Sequence, residues 1–340
     1  MSVSAAPAFY VIPGTAVKTA IDGDREQVFQ AIEAAYRLHA SGDAVNPDSY
    51  FLRYPKNPKS RIIALPAHLG GPVQKSGIKW IASFPENIAA NLARASAVLI
   101  LNDATTGYPL ACMEASLISA TRTAASAALA AERISSNPFE ATLGVIGTGL
   151  IARTTVEWLL FRNWKFRGIH LFDLDPGESQ RFGNWLNDVH GLHANIVDSL
   201  ESAVRGSSLI AFTTTAAEPY VADEELFSHS PTVLHLSLRD IGENLILASQ
   251  NIVDDVDHCL KANTSLHLTE QKTGNRDFVL GNLVDVMDGK VALHREGARI
   301  FSPFGLGVLD IALGNLVLDA AKASGTAIEV PDFFSNSARW

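Results

Sequence analysis

The chain has 340 residues, more than the roughly 250–300 at which a single hydrophobic core stops growing, so we expect more than one domain. Its net charge of −9 argues against a nucleic-acid partner. Two cysteines cannot form a disulfide framework, and the spacing of His190 and His193 does not predict a metal site. Without a basic N-terminal leader or an apolar run of about 20 residues, we predict a cytoplasmic protein with no membrane partner.

The first 120 residues predict an α+β module. Residues 22–38 carry apolar side chains at helical spacing and predict an amphipathic helix. A proline-punctuated extended segment follows at residues 46–55. Apolar stretches then predict strands at residues 60–65, 76–83 and 97–102.

Lys79 lies in the predicted strand at residues 76–83, and neither face of that strand is plainly polar. Gly77 and Ile81 share its face, and Trp80 points to the opposite one. Most strand lysines are solvated at a sheet edge. A turn with a proline follows directly, which also fits a strand that ends at a cleft.

The alanine-rich stretch at residues 119–133 predicts a helix, because alanine has the highest helix propensity. Arg122 falls on the apolar stripe of that helix, in line with Ala125. A buried guanidinium needs an anion. Two readings stay open: a salt bridge to Glu114 or Asp103, or a bidentate contact with a substrate carboxylate.

Residues 141–152 place a glycine-rich turn between an apolar strand and a helix. One glycine permits the tight turn, and the next leaves room for a pyrophosphate against the backbone. The first N–H groups of the helix, at its positive dipole end, would meet the phosphates. We therefore predict a dinucleotide site formed by Gly147, Thr148, Gly149, Leu150 and Ile151.

Asp173 ends the next predicted strand, 24 residues after Gly149, close to the spacing expected of a ribose-binding carboxylate. Asp175 follows, and no Arg or Lys occurs before Arg181, so a ribose 2′-phosphate would meet negative charge. We predict NAD as the cofactor rather than NADP. The alternatives are that Asp175 binds the ribose, or that both carboxylates belong to a solvated turn.

Apolar runs at residues 208–213, 232–237 and 251–253 are typical of strands in a parallel sheet covered on both faces. With crossover helices at residues 177–189 and 199–204, they predict a doubly wound Rossmann sheet from about residue 125 to about residue 310. The hydroxyls that end the first run either line the nicotinamide side or cap the strand; they belong to Thr213, Thr214 and Thr215.

Several motifs, in one order along nearly the whole chain, resemble the ornithine cyclodeaminase/mu-crystallin family. They are Gly-Ile-Lys79, Pro85-Glu-Asn87, Asp103-Ala-Thr-Thr-Gly107-Tyr-Pro109, Thr121-Arg122-Thr-Ala-Ala125 and the glycine-rich turn. Three further stretches are similar to the branch of that family that makes L-2,3-diaminopropionate; they are residues 61–66, 237–240 and 301–310.

The resemblance implies an α/β protein with two domains. A substrate-binding and dimerisation domain of α+β type would comprise residues 1–124 with 311–340, and a Rossmann NAD-binding domain would comprise residues 125–310. A C-terminal helix at residues 311–321 would return to the first domain. The family dimerises through that domain, which implies a homodimer.

Residue by residue, the resemblance implies that Arg53, Lys79 and Arg122 hold the carboxylate of a small amino-acid substrate. It also implies that Asp240 handles the substrate amine, with Asp240 and Lys79 as the catalytic residues. The residue before the key aspartate is small in ornithine-cyclising members and is Arg239 here. An added substrate-binding cation suits a more acidic substrate.

The activity that the resemblance implies is an NAD-dependent oxidative hydrolysis of N-(1-amino-1-carboxy-2-ethyl)-L-glutamate. Its products would be 2-oxoglutarate and L-2,3-diaminopropionate, the latter for siderophore or nonribosomal peptide biosynthesis. Three alternatives stay open: ornithine cyclodeamination, reduction of a ketimine or keto acid by a related dehydrogenase, and a non-catalytic nucleotide- and ligand-binding protein of the mu-crystallin type.

Overall fold

The structure is a computed structural model that describes residues 7–334. The described chain forms two compact units: one from its start to Arg122 together with the segment from Leu306 onward, and one from Thr123 to Gly305. The predicted assignment of residues 1–124 and 311–340 to substrate binding and dimerisation, and of 125–310 to NAD binding, stays a prediction. Of these, residues 1–6 and 335–340 lie outside the described part.

Helices and strands alternate irregularly in the first part of the chain, which also has a short 3₁₀ helix at Pro85–Ala90. The helix at Ser116–Ile134 starts in the first unit and continues into the second. In order, the elements are β1 Phe9–Ile12, α1 Gly14–Gly23, α2 Arg25–Ala40, β2 Ala44–Val45, β3 Tyr50–Tyr54, β4 Asn57–Leu69, β5 Lys75–Ser83, β6 Ala95–Asp103, β7 Pro109–Glu114 and α3 Ser116–Ile134.

In the rest of the described chain most strands are followed by a helix, with a second 3₁₀ helix at Glu224–Phe227 and two helices in succession at Val256–Cys259 and Ser265–Thr273. The elements are β8 Glu140–Ile146, α4 Leu150–Phe161, β9 Lys165–Phe172, α5 Pro176–His190, β10 Asn195–Ile196, α6 Leu200–Arg205, β11 Leu209–Phe212, β12 Thr232–His235, α7 Glu243–Leu247, β13 Gln250–Val253, α8 Val256–Cys259, α9 Ser265–Thr273, β14 Val279–Asn282, α10 Leu283–Met287, β15 Arg299–Ser302, α11 Gly307–Ala323 and β16 Ile328–Val330.

The first unit is built on a mixed sheet with strand order β16-β1-β7-β6-β5-β4-β2, and β3 pairs with β4. Only the β1–β7 pair of this sheet is parallel. Helix α11 packs on β4 and β5. Gly77 allows this close approach, because a Cβ there would lie 2.2 Å from the Ile100 carbonyl oxygen and 2.8 Å from Ile311 Cδ1.

The second unit is built on a parallel sheet with strand order β10-β9-β8-β11-β12-β15-β13-β14. The chain reverses its direction of winding between β8 and β11. Ligands of open parallel sheets bind at the carboxyl ends of the strands at such a switch point. The sheet confirms the predicted Rossmann architecture.

Two predicted elements differ from the structure. The helix predicted at residues 22–38 is interrupted, because Asp24 leaves helical backbone geometry and its side chain caps α2 by accepting the Gln27 N–H at 2.8 Å. The strand predicted to end at Ser237 stops at His235, and the chain then turns. In both places a local side-chain interaction or turn overrides the apolar pattern.

No helix within residues 7–334 is long and apolar enough to cross a membrane. In the same part of the chain, no group of three or more His, Cys, Asp or Glu side chains is arranged to hold a metal ion.

Candidate active site

The glycine-rich turn connects β8 to α4 as predicted. Gly147 adopts φ +84°, and a Cβ there would lie 3.0 Å from backbone atoms of Thr213 and Thr214, so glycine is required for both conformation and space. Gly149 differs, because a Cβ at that position would meet no atom within 4 Å. The space beside Gly149 is open to a ligand.

Helix α4 presents free N–H groups at this open space. Its first helical hydrogen bond runs from the Arg153 N–H to the Gly149 carbonyl, and no side chain caps the helix. The N–H groups of Leu150, Ile151 and Ala152 therefore have no partner within the helix. No acidic residue occupies the first turn, so this positive end of the helix is suited to a pyrophosphate.

Asp173 lies at the end of β9, beside the turn. Its Oδ2 accepts the Thr148 backbone N–H at 2.7 Å and the Thr148 hydroxyl at 3.1 Å, and its Oδ1 accepts the Asp175 N–H at 3.0 Å. Thr148 is therefore committed to Asp173, and its N–H does not face the open space. Oδ1 accepts a single hydrogen bond here and so keeps capacity for a further one, as a ribose contact requires.

The structure brings Arg181 closer to this region than its place in the sequence suggests. Arg181 pairs with Glu178 at 2.6 Å and lies 3.7 Å from Asp175. Two carboxylates already occupy this guanidinium, and Asp173 adds a third negative charge nearby. The local charge therefore remains unfavourable for a 2′-phosphate, which agrees with the prediction of NAD.

The three predicted threonines separate into different roles. Thr213 donates its hydroxyl to the carbonyl oxygen of Gly147 and so ties β11 to the turn. Thr214 donates to Asp240. Thr215 is exposed. The interpretation as strand capping therefore accounts for Thr213, whereas Thr214 belongs to the surroundings of Asp240.

Asp240 is fully buried and is surrounded by hydrogen-bonding groups. Its Oδ1 accepts the hydroxyls of Thr214 and Tyr220, the latter at 2.9 Å, and its Oδ2 accepts the Ser237 hydroxyl. The His235 ring lies against the same residue: Nε2 is 3.2 Å from the Asp240 backbone N and 3.3 Å from Oδ2. On its other side, His235 Nδ1 is 3.1 Å from the Ser302 hydroxyl.

These neighbours set the ionisation of Asp240. Burial by itself raises the pKa of the carboxyl, but His235 and the hydroxyls of Ser237 and Thr214 outweigh burial and bring its pKa to about 2. The carboxylate is therefore ionised at any physiological pH. Burial and the charge of Asp240 raise the pKa of Tyr220, so its phenol stays protonated and serves as a donor.

Lys79 and Arg122, both predicted to bind a substrate carboxylate, meet at a third residue, Asp310 of α11. Lys79 Nζ lies 2.7 Å from Asp310 Oδ2 and donates to the Ser119 hydroxyl at 3.1 Å. Arg122 Nε lies 3.4 Å from Asp310 Oδ1. The internal anion beside Arg122 is thus neither Asp103 nor Glu114.

Burial lowers the pKa of Lys79 in this cluster. The side chains of Lys79 and Asp310 are each 1% exposed. Burial and the charge of Arg122 lower the pKa of Lys79, and Asp310 raises it, leaving the pKa of this amine at about 8. Lys79 can therefore gain or lose a proton near neutral pH, as a general acid or base must.

The two remaining predicted cations lie apart from this cluster. Arg53 is exposed on β3, with its guanidinium 5.1 Å from the centre of the Phe51 ring. Arg239 donates to the carbonyl oxygen of Ala262 at 2.8 Å within the second unit. Their role in substrate binding stays a prediction.

Sequence reasoning missed four residues that build these sites: Asp310, His235, Tyr220 and Ser237. Asp310 is an acidic residue one position before a predicted apolar helix, which suggests only a helix start. Its partner Lys79 lies 231 residues earlier, and no pattern in one sequence connects them. Ser237 was the one that sequence reasoning could have found, because it lies only three residues before Asp240 in the chain.

Comparison with known proteins places the chain in a family. The model of the ornithine cyclodeaminase/mu-crystallin family matches residues 14–325. An N-((2S)-2-amino-2-carboxyethyl)-L-glutamate dehydrogenase of Staphylococcus aureus is 29% identical over 310 residues, which are 88% of this chain and 92% of that one. An ornithine cyclodeaminase of Brucella abortus is 32% identical over 265 residues, covering 73% of this chain and 69% of the relative.

Solved structures show the same fold. The Delta(1)-pyrroline-2-carboxylate reductase of Thermococcus litoralis, in complex with NADH and L-proline, has a TM-score of 0.86 at 21% identity and covers 94% of this chain and 100% of that one. This likeness confirms the predicted fold class, and the family match confirms the predicted resemblance. The chain belongs to the ornithine cyclodeaminase/mu-crystallin family.

Proposed function

We propose that this protein, an NAD-dependent oxidoreductase of the family, catalyses the oxidative hydrolysis of N-(1-amino-1-carboxy-2-ethyl)-L-glutamate. The substrate, NAD⁺ and water give L-2,3-diaminopropionate, 2-oxoglutarate, NADH and a proton. The observation that carries the proposal is the buried cluster of Lys79, Arg122 and Asp310, which combines cations for a carboxylate with an amine that titrates near neutral pH. The likeness to the Staphylococcus aureus dehydrogenase supports the choice of substrate.

The open space at Gly149 and the free N–H groups of α4 would hold the pyrophosphate of NAD, and Asp173 would hold a ribose hydroxyl. When bound, NAD accepts the hydride that leaves the glutamate α-carbon. The substrate is thereby oxidised to an imine, and addition of water followed by cleavage of the C–N bond yields the two products.

Lys79 is the better candidate for proton transfer. With a pKa of about 8, roughly a tenth of this amine is neutral at pH 7 and is able to accept a proton from the attacking water. Asp310 and Ser119 orient the amine, and Arg122 keeps positive charge beside it for a substrate carboxylate. Protonated Lys79 can later return the proton to the departing amine.

Asp240 has a different role in this proposal. A carboxylate with a pKa of about 2 is a weak base, so it contributes charge and orientation rather than proton uptake. A fixed negative charge stabilises a substrate ammonium before oxidation and the positive imine after it. His235, Ser237 and Tyr220 hold the carboxylate in place for this task.

The experiment is incubation of the protein with the proposed substrate and NAD⁺. We expect NADH, 2-oxoglutarate and L-2,3-diaminopropionate in equal amounts, and the Lys79→Met and Asp240→Asn variants should each lose most of this activity. Binding of NAD to both variants serves as the control for folding. Absence of NADH and of 2-oxoglutarate with the wild-type protein refutes the proposal.

Ornithine cyclodeamination is the second candidate, because the Brucella abortus relative carries that name. That reaction reduces NAD and then reoxidises it, so it leaves no net NADH. L-ornithine in place of the first substrate therefore separates the two functions: proline and ammonia without NADH indicate cyclodeamination. If neither substrate is turned over but the protein binds NAD and a small ligand, it is a binding protein of the mu-crystallin type.

We also propose a homodimer formed through the first sheet. One face of that sheet exposes apolar side chains across several strands, and their exposed fractions are 40% or more for Val11, Tyr50, Leu52, Trp80 and Val98. Such a contiguous apolar face is typical of an interface. Trp80→Glu should give a monomer in light scattering, whereas Leu174→Glu, at a fully exposed site of the second unit, should not. A cytoplasmic location remains a prediction.

A further inference from the structure

One end of the first sheet is basic, although the chain as a whole is acidic. Residues 53–61, where β3 leads into β4, contain four Lys or Arg and no Asp or Glu. The strand register places Arg53 opposite Arg61, and Arg61 opposite Ser83. Residues directly opposite each other share a face, so these three side chains stand side by side across β3, β4 and β5.

Arg94, immediately before β6, reaches the same cluster from the next strand. Its Nη1 donates to Ser83 Oγ at 2.8 Å, and Ser83 is 7% exposed. Arg94 itself is half-buried, and burial lowers the pKa of its guanidinium. Within residues 7–334, Arg94 makes no ion pair with a carboxylate.

A structural role alone explains this arrangement poorly. The bond to Ser83 uses one of the five N–H donors of the guanidinium and brings no negative charge. Half-burying the Arg94 guanidinium without a carboxylate partner is unfavourable unless an anion from a ligand reaches it. A carboxylate does so best, because its two oxygens match the planar fork of arginine.

The position of this cluster suits the far end of a long substrate. Ser83 and Lys79 lie four residues apart on β5, so they share a face and their Cα atoms are about 13 Å apart. A substrate with carboxylates at both ends can therefore engage the Lys79 cluster with one end and Arg94 with the other.

We propose that Arg94, held by Ser83, binds the γ-carboxylate of the glutamyl arm and so determines the preference for an acidic substrate. The identity of that arm rests on the proposed function. The site itself requires only a second carboxylate. No catalytic step depends on Arg94, which acts through binding alone.

The test compares the proposed substrate with its γ-carboxamide, which differs by one charge, in calorimetric titrations of the wild-type protein, Arg94→Gln and Arg94→Lys. The matched control is Lys59→Gln, which removes an exposed positive charge two residues from Arg61 on β4. Thermal unfolding checks that each variant is folded. Production of NADH is recorded in parallel for each protein.

We expect the wild-type protein to bind the acid roughly 10- to 100-fold more tightly than the amide, the range expected for a charged hydrogen bond. Arg94→Gln should bind both ligands within about twofold of each other, Arg94→Lys should keep part of the preference, and Lys59→Gln should keep nearly all of it. Equal binding of the two ligands to the wild-type protein, no binding of either, or an unchanged preference in Arg94→Gln overturns the assignment. A wild-type protein that binds the acid selectively without forming NADH would refute the proposed reaction but not the role of Arg94.

Discussion

Replacing Lys79 by methionine should remove a pH-dependent part of the stability of this protein. The ordinary pKa of a lysine is 10.5, and in the folded protein the pKa of Lys79 is about 8. The amine is completely enclosed, so solvent screening does not reduce the effect. Methionine has a similar length and no titratable group, which makes Lys79→Met the appropriate perturbation.

Between pH 8 and pH 10.5 the unfolded chain still carries a proton on Lys79 that the folded protein has lost. The unfolded state then binds more protons, and the free energy of unfolding of the wild-type protein rises with pH. Because one pKa unit corresponds to 1.36 kcal/mol, the lowered pKa amounts to about 3 kcal/mol over this window. The gain is absent below pH 8 and complete above pH 10.5.

Urea unfolding of the wild-type protein and of Lys79→Met at pH 7, 8, 9 and 10 measures this gain. The difference in unfolding free energy between them should change in favour of the wild-type protein as pH rises, by most of the total of about 3 kcal/mol. Lys75→Met is the matched control, because Lys75 lies on the same strand but is only half-buried, with its amine on the carbonyl oxygens of Val73 and Gln74. A difference that stays constant with pH, or falls, refutes the reasoning.

Three further predictions concern the second unit. His235→Asn should raise the pKa of Asp240 above about 2, because His235 lowers that pKa more than any other neighbour does. The acid limb of the pH profile of kcat/KM should then move to higher pH. A loss of kcat/KM by the same factor at every pH contradicts this. Gly149→Val fills the open space and should weaken NAD binding at least tenfold in calorimetry, with Tm unchanged within a few degrees; undiminished binding means that the pyrophosphate lies elsewhere. Asp173→Ser should weaken NAD binding and reduce the ratio of the affinity for NAD to the affinity for NADP. If that ratio is unchanged, Asp173 does not bind the ribose.

The fold of the second unit was predictable from local sequence patterns. The glycine-rich turn, each apolar strand and Asp173 are recognisable from short stretches of chain, and each obeys rules of backbone geometry that act over short distances in the chain. Gly147 is a clear case, because its φ of +84° is a local requirement. The parallel sheet was predictable because its strands are continuous apolar runs, as strands covered by helices on both faces are.

The functional groups were found by residue type and by family resemblance, and their ionisation was not predictable from the sequence. Lys79 and Asp240 both had the residue types that catalysis needs, and sequence reasoning named both as catalytic without separating their proton-transfer roles. The structure separates them, because His235 and the hydroxyls around Asp240 hold that group ionised, while burial brings the pKa of Lys79 to about 8, close to neutral pH. Both effects depend on neighbours that folding supplies.

By itself, then, the sequence determined the Rossmann turn, the carboxylate at Asp173 and the basic and acidic candidates for the site. Only the tertiary structure decided that Asp310 is the anion shared by Lys79 and Arg122, and that Arg94 joins the basic end of the first sheet. The physical reason is the distance along the chain over which each kind of interaction acts. Backbone conformation is fixed by neighbours in the chain, whereas electrostatic interaction and burial depend on distances in space between residues that are far apart in sequence.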